Sequence, residues 1–220
     1  MRLHDQLLML PLFQGMSRND IENVVAHTRL GFSKHGKNKV VINEGKKCVN
    51  LCFLMQGEME AVTNAYDGSY SIGETFGAPA MIQPECLFGL KQIYTKTFIA
   101  TTECRMVYIG KNEVTKLMAE FDIFRINMLN ILCTKVQRLS HMQWQKPPQD
   151  IRRKIFAFVE KRCQTAVGHK TMKIKMEVLA EQIGESRINV SSCLAALENE
   201  GLLKHSRATM DIPALERLNE

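Results

Sequence analysis

Residues 176–201, MEVLAEQIGESRINVSSCLAALENEG, decide the fold of the C-terminal part of the chain. Apolar residues recur there at helical spacing on both sides of a glycine. They are Leu179, Ala180 and Ile183 before the glycine, and Val190, Cys193, Leu194 and Leu197 after it. Gly184 suits the positive φ at which many helices end, and Ser186 is a good N-cap for a second helix. The stretch predicts a helix-turn-helix.

The first two turns of the second predicted helix direct Arg187, Ile188, Ser191 and Ser192 outward. A helix-turn-helix presents such N-terminal side chains to the DNA major groove. A helical hairpin inside a larger core is the alternative, because small residues and a turn glycine occur in many hairpins.

Composition is compatible with a DNA-binding protein of two small domains. The chain has 220 residues and a net charge of +6, and from Lys146 onward 13 Lys and Arg face 10 Asp and Glu. This balance mildly favours phosphate binding. No apolar stretch approaches the length of a membrane span, so no membrane partner is expected. The opening MRLHDQLLMLPLF predicts a helix leading into the fold and not a signal peptide.

The seven cysteines, at 48, 52, 86, 104, 133, 163 and 193, include no CxxC pair. Their odd number and scattered spacing favour free thiols in a reducing cytoplasm. Cys48 and Cys52 would share one face of a strand, which permits a metal or redox pair, although small core residues are the favoured interpretation. No metal or cofactor site is predicted.

Short strand candidates fill the first half of the chain. They span 40–43, 49–55, 59–63, 70–72 and 97–109, with turn signals such as Asp67-Gly68 between them. Many short strands at this spacing predict an antiparallel β-roll of the jelly-roll type and not a parallel sheet.

Residues 111–145 lack proline and glycine and predict one long helix. Its apolar stripe comprises Leu117, Phe121, Phe124, Met128, Ile131 or Leu132, Leu139 and Met142. Such a stripe favours a parallel dimer seam over packing on its own domain. Pro147-Pro148 ends the helix, so we expect an N-terminal domain at 1–145 and a DNA-binding domain at 146–220.

After the helix-turn-helix, LLKHSRATMDI predicts two short extended runs around a polar turn at Ser206. This pattern is typical of the wing of a winged helix. Lys204, His205 and Arg207 would lie near its tip, where DNA phosphates pass.

With these parts in order, the chain resembles the Crp–Fnr family of bacterial transcription regulators. The resemblance rests on residues 11–24, 53–62, 73–82, 98–109 and 179–203, which are PLFQGMSRNDIENV, FLMQGEMEAV, GETFGAPAMI, FIATTECRMVYI and LAEQIGESRINVSSCLAALENEGLL. It implies a cyclic-nucleotide-binding-like β-roll, a dimerising helix and a winged helix-turn-helix. The expected partners are a pseudo-palindromic double-stranded DNA, a second copy of the chain, RNA polymerase and a small-molecule effector.

The resemblance implies that the N-terminal domain, residues 1–145, is a cyclic-nucleotide-binding-like sensor domain. Its sequence departs from that of the cyclic-AMP-binding members. The family's ribose-binding glutamate falls on Ala78, and its phosphate-binding arginine falls on Tyr94, followed by Thr95. A buried cyclic phosphate would lack its guanidinium partner, so cyclic AMP is not expected as effector. The candidate pocket is lined by Gly77, Ala78, Tyr94, Thr95, Leu139 and Ser140. A different effector or a side-chain-filled pocket are both open alternatives.

Two sensing mechanisms of the family receive no support from the cysteines and histidines. No cysteine precedes Cys48, which argues against the family's N-terminal iron–sulfur cluster. A haem at His27, His35 or a cysteine stays open, but nothing in the sequence singles these residues out.

The DNA-contacting residues depart from the family as well. Arg187 matches the family's guanine-binding arginine, whereas Ile188 replaces the glutamate and Ser192 the second arginine. We therefore expect an operator different from the family consensus. The DNA-binding residues predicted in all are Lys175, Ser186, Arg187, Ile188, Asn189, Ser191, Ser192, Lys204 and Arg207, of which Lys175, Asn189, Ser191 and Lys204 are phosphate candidates.

Catalytic patterns do not stand out anywhere in the chain. There is no convincing Ser-His-Asp set, carboxylate pair, phosphate-cradling glycine loop or metal-ligand spacing. The chain is therefore not expected to be an enzyme. The alternative to a DNA-binding regulator is a ligand-sensing or protein-interaction module whose helix-turn-helix packs against protein.

Overall fold

The computed structural model describes residues 3–144, 146 and 148–219. The chain forms two compact units, one of residues 1–59 and 77–144, the other of residues 60–76 and 145–220. The expected boundary between residues 145 and 146 stays a prediction, since Gln145 and also Pro147 of the proline pair lie outside the described residues. Residues 60–76, which the sequence assigned to the sensor domain, pack with the C-terminal residues.

The N-terminal unit begins with two helices. They are α1 (Leu3–Leu8) and α2 (Arg18–His27). Ser17 caps α2 through a capping box, in which the Asp20 amide donates to Ser17 Oγ at 3.1 Å and the Ser17 amide donates to Asp20 at 3.0 Å. Phe13, between the helices, packs edge-on against Phe124 at 5.4 Å between ring centroids. The expected N-terminal helix is present at Leu3–Leu8.

Antiparallel strands form the body of this unit. They are β1 (Leu30–His35), β2 (Val40–Ile42), β3 (Asn50–Gln56), β4 (Glu58–Asn64), β5 (Tyr70–Gly77), β6 (Ala80–Ile82), β7 (Thr97–Ala100) and β8 (Cys104–Gly110), although most of β4 and β5 belongs to the other unit. One sheet has the order β1-β8-β3-β6, and β2 pairs with β7. The strand expected over 97–109 is divided, because Thr101 and Thr102 turn back to donate their amides to the Glu58 carbonyl.

The prediction of a single long helix at 111–145 is wrong, because the segment forms two helices. They are α3 (Lys111–Glu120) and α4 (Asp122–Gln143). Phe121 between them has an extended backbone, with φ −115° and ψ 104°. The break directs both helices onto the core, where Leu117 and Phe124 are buried. Arg125 stabilises the break between the helices. Its guanidinium donates to the Met118 carbonyl at 3.0 Å and so satisfies a C-terminal carbonyl of α3.

The C-terminal unit is a winged helix-turn-helix extended by a hairpin. Its elements are α5 (Ile151–Glu160), β9 (Lys170–Ile174), α6 (Met176–Ile183), α7 (Arg187–Asn199), β10 (Lys204–Ser206) and β11 (Thr209–Ile212). The strands follow the order β10-β11-β9-β5-β4. Gly73 of β5 lies opposite Thr171 of β9, and a Cβ at Gly73 would lie 2.1 Å from Glu60 Oε1 and 2.3 Å from Thr171 Oγ1, so a larger residue would force these side chains to shift.

The predicted α+β fold class, with an antiparallel β-roll followed by a helical segment and a winged helix-turn-helix, is confirmed. Within the described part of the chain, no helix combines the length and apolarity needed to cross a membrane.

Candidate nucleic-acid interface

The helix-turn-helix has the local geometry that its sequence predicts. Gly184 ends α6 in the left-handed region at φ 65°, and the Glu185 amide donates to the Ala180 carbonyl at 2.9 Å. Ser186 Oγ caps α7 by accepting the Asn189 amide at 3.1 Å. Val190 and Leu194 are 0% and 1% exposed. The inner face of α7 is therefore fixed in the core, and its opposite face is directed to solvent.

All the predicted DNA-binding residues are exposed on the C-terminal unit. They are Lys175, Ser186, Arg187, Ile188, Asn189, Ser191, Ser192, Lys204 and Arg207. Ile188 is 77% exposed, which is unusual for an isoleucine one turn from a fully buried stripe. The wing turn lies at Arg207-Ala208, since Ser206 pairs with Thr209, so the expectation of a turn at Ser206 is corrected by one position. Arg207 lies at the tip.

Arg187 has an ionic partner that the sequence did not reveal. Its Nε lies 3.2 Å from Oε1 of Glu177 in the first turn of α6, and the two side chains are 69% and 61% exposed. Spacing within one helix could not have indicated this pair, because the two residues belong to different helices.

Two further contacts hold the helix-turn-helix on its scaffold. Lys154 of α5 donates to Glu185 at 2.5 Å, and this hydrogen bond lowers the pKa of the Glu185 carboxyl. Glu198, near the end of α7, accepts the backbone amide of His205 at 3.1 Å, which joins α7 to the wing. The turn and the wing are thus both fixed relative to α7.

Tyr94, a residue of the predicted effector pocket, is buried in the N-terminal unit. Tyr94 is 4% exposed, and its hydroxyl donates to the Asn50 carbonyl at 3.3 Å and lies 3.2 Å from Cys52 Sγ. Burial raises the pKa of Tyr94, which keeps the phenol neutral. The position to which the resemblance assigns a phosphate-binding arginine therefore holds an uncharged phenol.

The neighbours of Tyr94 also have internal partners. The Thr95 amide donates to Gln83 Oε1 at 3.1 Å, and Gln83 Nε2 donates to Thr95 Oγ1 at 2.6 Å. The Ala78 amide donates to the Gly57 carbonyl at 2.9 Å, and Gly77 is exposed. Their assignment to an effector site stays a prediction.

Leu139 and Ser140, the predicted helix side of this pocket, are exposed on α4. Their part in the pocket stays a prediction. A separate open cavity of about 540 Å³ is lined by Phe32, Lys34, Met55, Arg105 and Val107 among others, and it includes none of the predicted pocket residues.

Cys48 and Cys52 both contact the Asn50 carbonyl, but they do not share one face of a strand as their spacing predicted. Each thiol lies 3.5 Å from the Asn50 carbonyl oxygen, although Cys48 precedes β3 and is not part of it. Burial raises the pKa of Cys52 to about 12, so its thiol is protonated and unreactive at neutral pH. Among the described residues, no group of three or more His, Cys, Asp and Glu side chains could hold a metal ion.

Helix α4 has two apolar faces, which corrects the predicted stripe. Phe124 and Met128 are buried in their own unit at 0% and 1% exposure, and Leu117 of α3 is also buried. Another row stays exposed along α4. It consists of Ile126, Leu129, Cys133 and Val136, at intervals of three, four and three residues. We call these four residues the outer row; they have the spacing of a coiled-coil seam.

Comparison with known proteins gives a domain-family match within the N-terminal part of the chain and a shared fold. Residues 33–121 match the cyclic nucleotide-binding domain family. The catabolite activator protein of Thermus thermophilus has a similar structure, with 16% identity, a TM-score of 0.51, and coverage of 96% of this chain and 97% of that chain. No curated protein matches the chain.

A second similar structure is the sensor domain of the transcriptional regulator DNR from Pseudomonas aeruginosa. It has 14% identity and a TM-score of 0.53, and the match covers 67% of this chain and 95% of that chain. At these identities the likeness establishes the shared fold.

Proposed function

We propose that this chain, which has the cyclic nucleotide-binding domain and the full-length fold of the Crp–Fnr regulators, is a homodimer that binds specific double-stranded DNA and regulates transcription. The resemblance predicted from the sequence is thus confirmed. DNA binding, the dimer and the effector belong to the proposal, as does an absence of enzymatic activity.

The exposed N-terminal face of α7 carries the proposal. Arg187 and Ile188 are solvent-directed while Val190, two residues further on, is 0% exposed. An exposed arginine beside an exposed isoleucine suits a DNA groove, where a guanidinium binds guanine O6 and N7 and an aliphatic side chain contacts a thymine methyl. We propose these two contacts as the base contacts.

The remaining exposed polar residues suit phosphate contacts. Lys175 precedes α6, Lys204 begins β10, and Arg207 lies at the wing tip. Asn189, Ser191 and Ser192 lie on the first turns of α7, and the Ser186 hydroxyl is used as the N-cap. Such contacts fix the register of the protein on DNA without selecting a sequence.

The outer row of α4 supports the dimer. Ile126, Leu129 and Val136 are 53%, 50% and 61% exposed, and an exposed apolar row of this length usually has a partner. In a parallel pair of α4 helices, two copies of α7 would enter successive major grooves about one helical turn apart on a pseudo-palindromic site.

The Tyr94 contacts favour an effector other than cyclic AMP, or none. An effector would act by shifting the population between DNA-competent and incompetent states. A contact with RNA polymerase is expected if the protein is an activator. The second candidate function, a ligand-sensing or protein-interaction module without DNA binding, would use the same exposed Ile188 against a protein partner.

Selection of bound sites from a random DNA pool, with purified protein and no ligand, tests the proposal. We expect a two-fold symmetric motif, and we expect Arg187→Ala to lose it. The matched control is Arg153→Ala, because Arg153 is an exposed arginine of α5 in the same unit. A folded native dimer that shows no preference among DNA sequences, with or without cell-extract small molecules, would favour the interaction module.

A further inference from the structure

We infer that Glu177 is a positioning residue for Arg187, and that the pair selects guanine more strictly than the arginine alone would. This inference rests on the proposed function, because it concerns how a DNA-contacting arginine is held.

The geometry places an acidic side chain at the start of one helix against a basic side chain at the start of the next. Glu177 is the second residue of α6, and Arg187 is the first residue of α7. Glu177 Oε1 lies 3.2 Å from Arg187 Nε. In helix-turn-helix proteins the first helix crosses the DNA backbone while the second enters the groove. The pair therefore lies at the junction of these two contacts.

The atoms used in this pair suit a guanine contact. Glu177 engages Nε, which leaves the donors of the two terminal nitrogens of Arg187 for other acceptors. Guanine offers two such acceptors, O6 and N7, on its major-groove edge. A carboxylate on Nε restricts rotation of the guanidinium, so less side-chain entropy is lost when guanine is bound.

The strength of the Glu177–Arg187 ion pair depends on how much water surrounds it. Both side chains are more than half exposed, so the ion pair contributes little to the stability of the unbound protein. In a DNA groove, water is displaced and the interaction strengthens. Glu177 also repels the phosphates of every DNA sequence, and only a base that engages Arg187 compensates for this repulsion. Glu177 should therefore weaken non-specific binding and sharpen the preference for guanine.

Glu177→Gln is the test variant, because it keeps the side-chain shape and removes the charge. Glu181→Gln is the matched control: Glu181 is exposed on the same helix, and the structure gives it no ion pair among the described residues. Affinity is measured for the selected operator and for duplexes in which each guanine of a half-site is replaced in turn by 7-deazaguanine, which lacks the N7 acceptor.

We expect Glu177→Gln to lower the discrimination against 7-deazaguanine by about three- to fivefold at a single position, the upper part of the range for an exposed ion pair. Non-specific affinity should rise. Glu181→Gln should leave the discrimination unchanged. In an Arg187→Ala background, Glu177→Gln should not alter discrimination at that position, since there is no arginine left to hold.

Two results would overturn the positioning role. One is unchanged discrimination in Glu177→Gln, and the other is an equal loss of discrimination whether residue 187 is arginine or alanine. Failure of the proposed function looks different, because native protein would then show no preferred DNA sequence at all. That result would overturn both claims, whereas a normal operator preference with an inert Glu177 would overturn only this one.

Discussion

Lys170 and Glu74 form a buried ion pair between neighbouring strands of the C-terminal unit, with 3.7 Å between Nζ and Oε1. Their side chains are 0% and 6% exposed. Glu74 also accepts the amides of Gln164 at 2.7 Å and Thr165 at 3.1 Å, and Lys170 donates to the Val167 carbonyl at 2.8 Å. Each charge therefore has the hydrogen-bond partners that a buried charge requires. The hairpin that carries Glu74 is thus joined to the winged helix by more than strand pairing.

Lys170→Met should strongly destabilise this unit. The substitution removes the buried cation that lies 3.7 Å from the Glu74 carboxylate, which we expect to lower the free energy of unfolding by about 3 kcal/mol. Urea unfolding of the full chain, followed by circular dichroism, measures the change. Lys173→Met on the same strand is the control, because Lys173 is exposed and should change stability by less than about 0.5 kcal/mol. Equal effects of the two variants would contradict a structural role for the pair.

The sequence predicted the features that depend on residues adjacent along the chain. Gly184 and Ser186 specify a helix end and a helix start by local backbone chemistry, and the structure has both. The Asp67-Gly68 signal likewise gives a tight turn, with the Ala65 amide donating to the Tyr70 carbonyl at 2.9 Å.

Features that depend on tertiary contacts escaped prediction. Lys170 belongs to a basic stretch typical of a surface, and only the strand pairing opposite Glu74 buries it. In α4 the apolar residues lie on two faces, so periodicity alone could not separate the core row from the outer row. The break at Phe121 follows from packing both helices on the core, and no proline or glycine marks it in the sequence.

Cyclic AMP should not bind this protein. Tyr94 is buried with its hydroxyl bonded to Asn50 and close to Cys52, and it offers a cyclic phosphate no positive charge. A ligand present at 100 times its Kd would stabilise the fold by about 2.7 kcal/mol. We expect no change in Tm at millimolar cyclic AMP. A saturable rise in Tm would contradict this, and a rise retained in Tyr94→Phe would show that the hydroxyl does not block the site.

The thiols around Tyr94 should resist modification. Burial raises the pKa of Cys52 to about 12 and that of Cys86 to about 11, so at pH 8 both groups remain thiols. Because the thiolate is the reactive form, brief treatment with iodoacetamide should leave these two cysteines unlabelled in folded protein and label them in urea. Mass spectrometry of the peptides measures the labelling. Rapid labelling of Cys52 in the folded state would show that the pocket opens.

Leu129→Asp should abolish dimer formation. It places a charge in the outer row of α4, which we propose as the seam between two copies, and a charge buried there would have no partner. Sedimentation of the purified variant measures the molecular mass. Asn130→Asp is the control, because Asn130 is also exposed on α4 and adds the same charge outside the outer row. A dimeric Leu129→Asp protein would contradict the proposed seam.

Cys133 provides an independent measurement of how the two helices are arranged. It is exposed within the outer row, and in a symmetric parallel pair each seam residue faces its own copy. Mild oxidation should therefore join two chains through a Cys133–Cys133 disulfide, visible as a covalent dimer on a non-reducing gel. Cys133→Ser should lose this product, whereas Cys193→Ser should keep it, because Cys193 is half-buried on α7. Cys133 lies near the middle of α4, so an antiparallel pair centred there would form the same disulfide, and the cross-link shows only that the two outer rows face each other. A dimer by sedimentation that does not cross-link would contradict the parallel arrangement while leaving the seam itself in place.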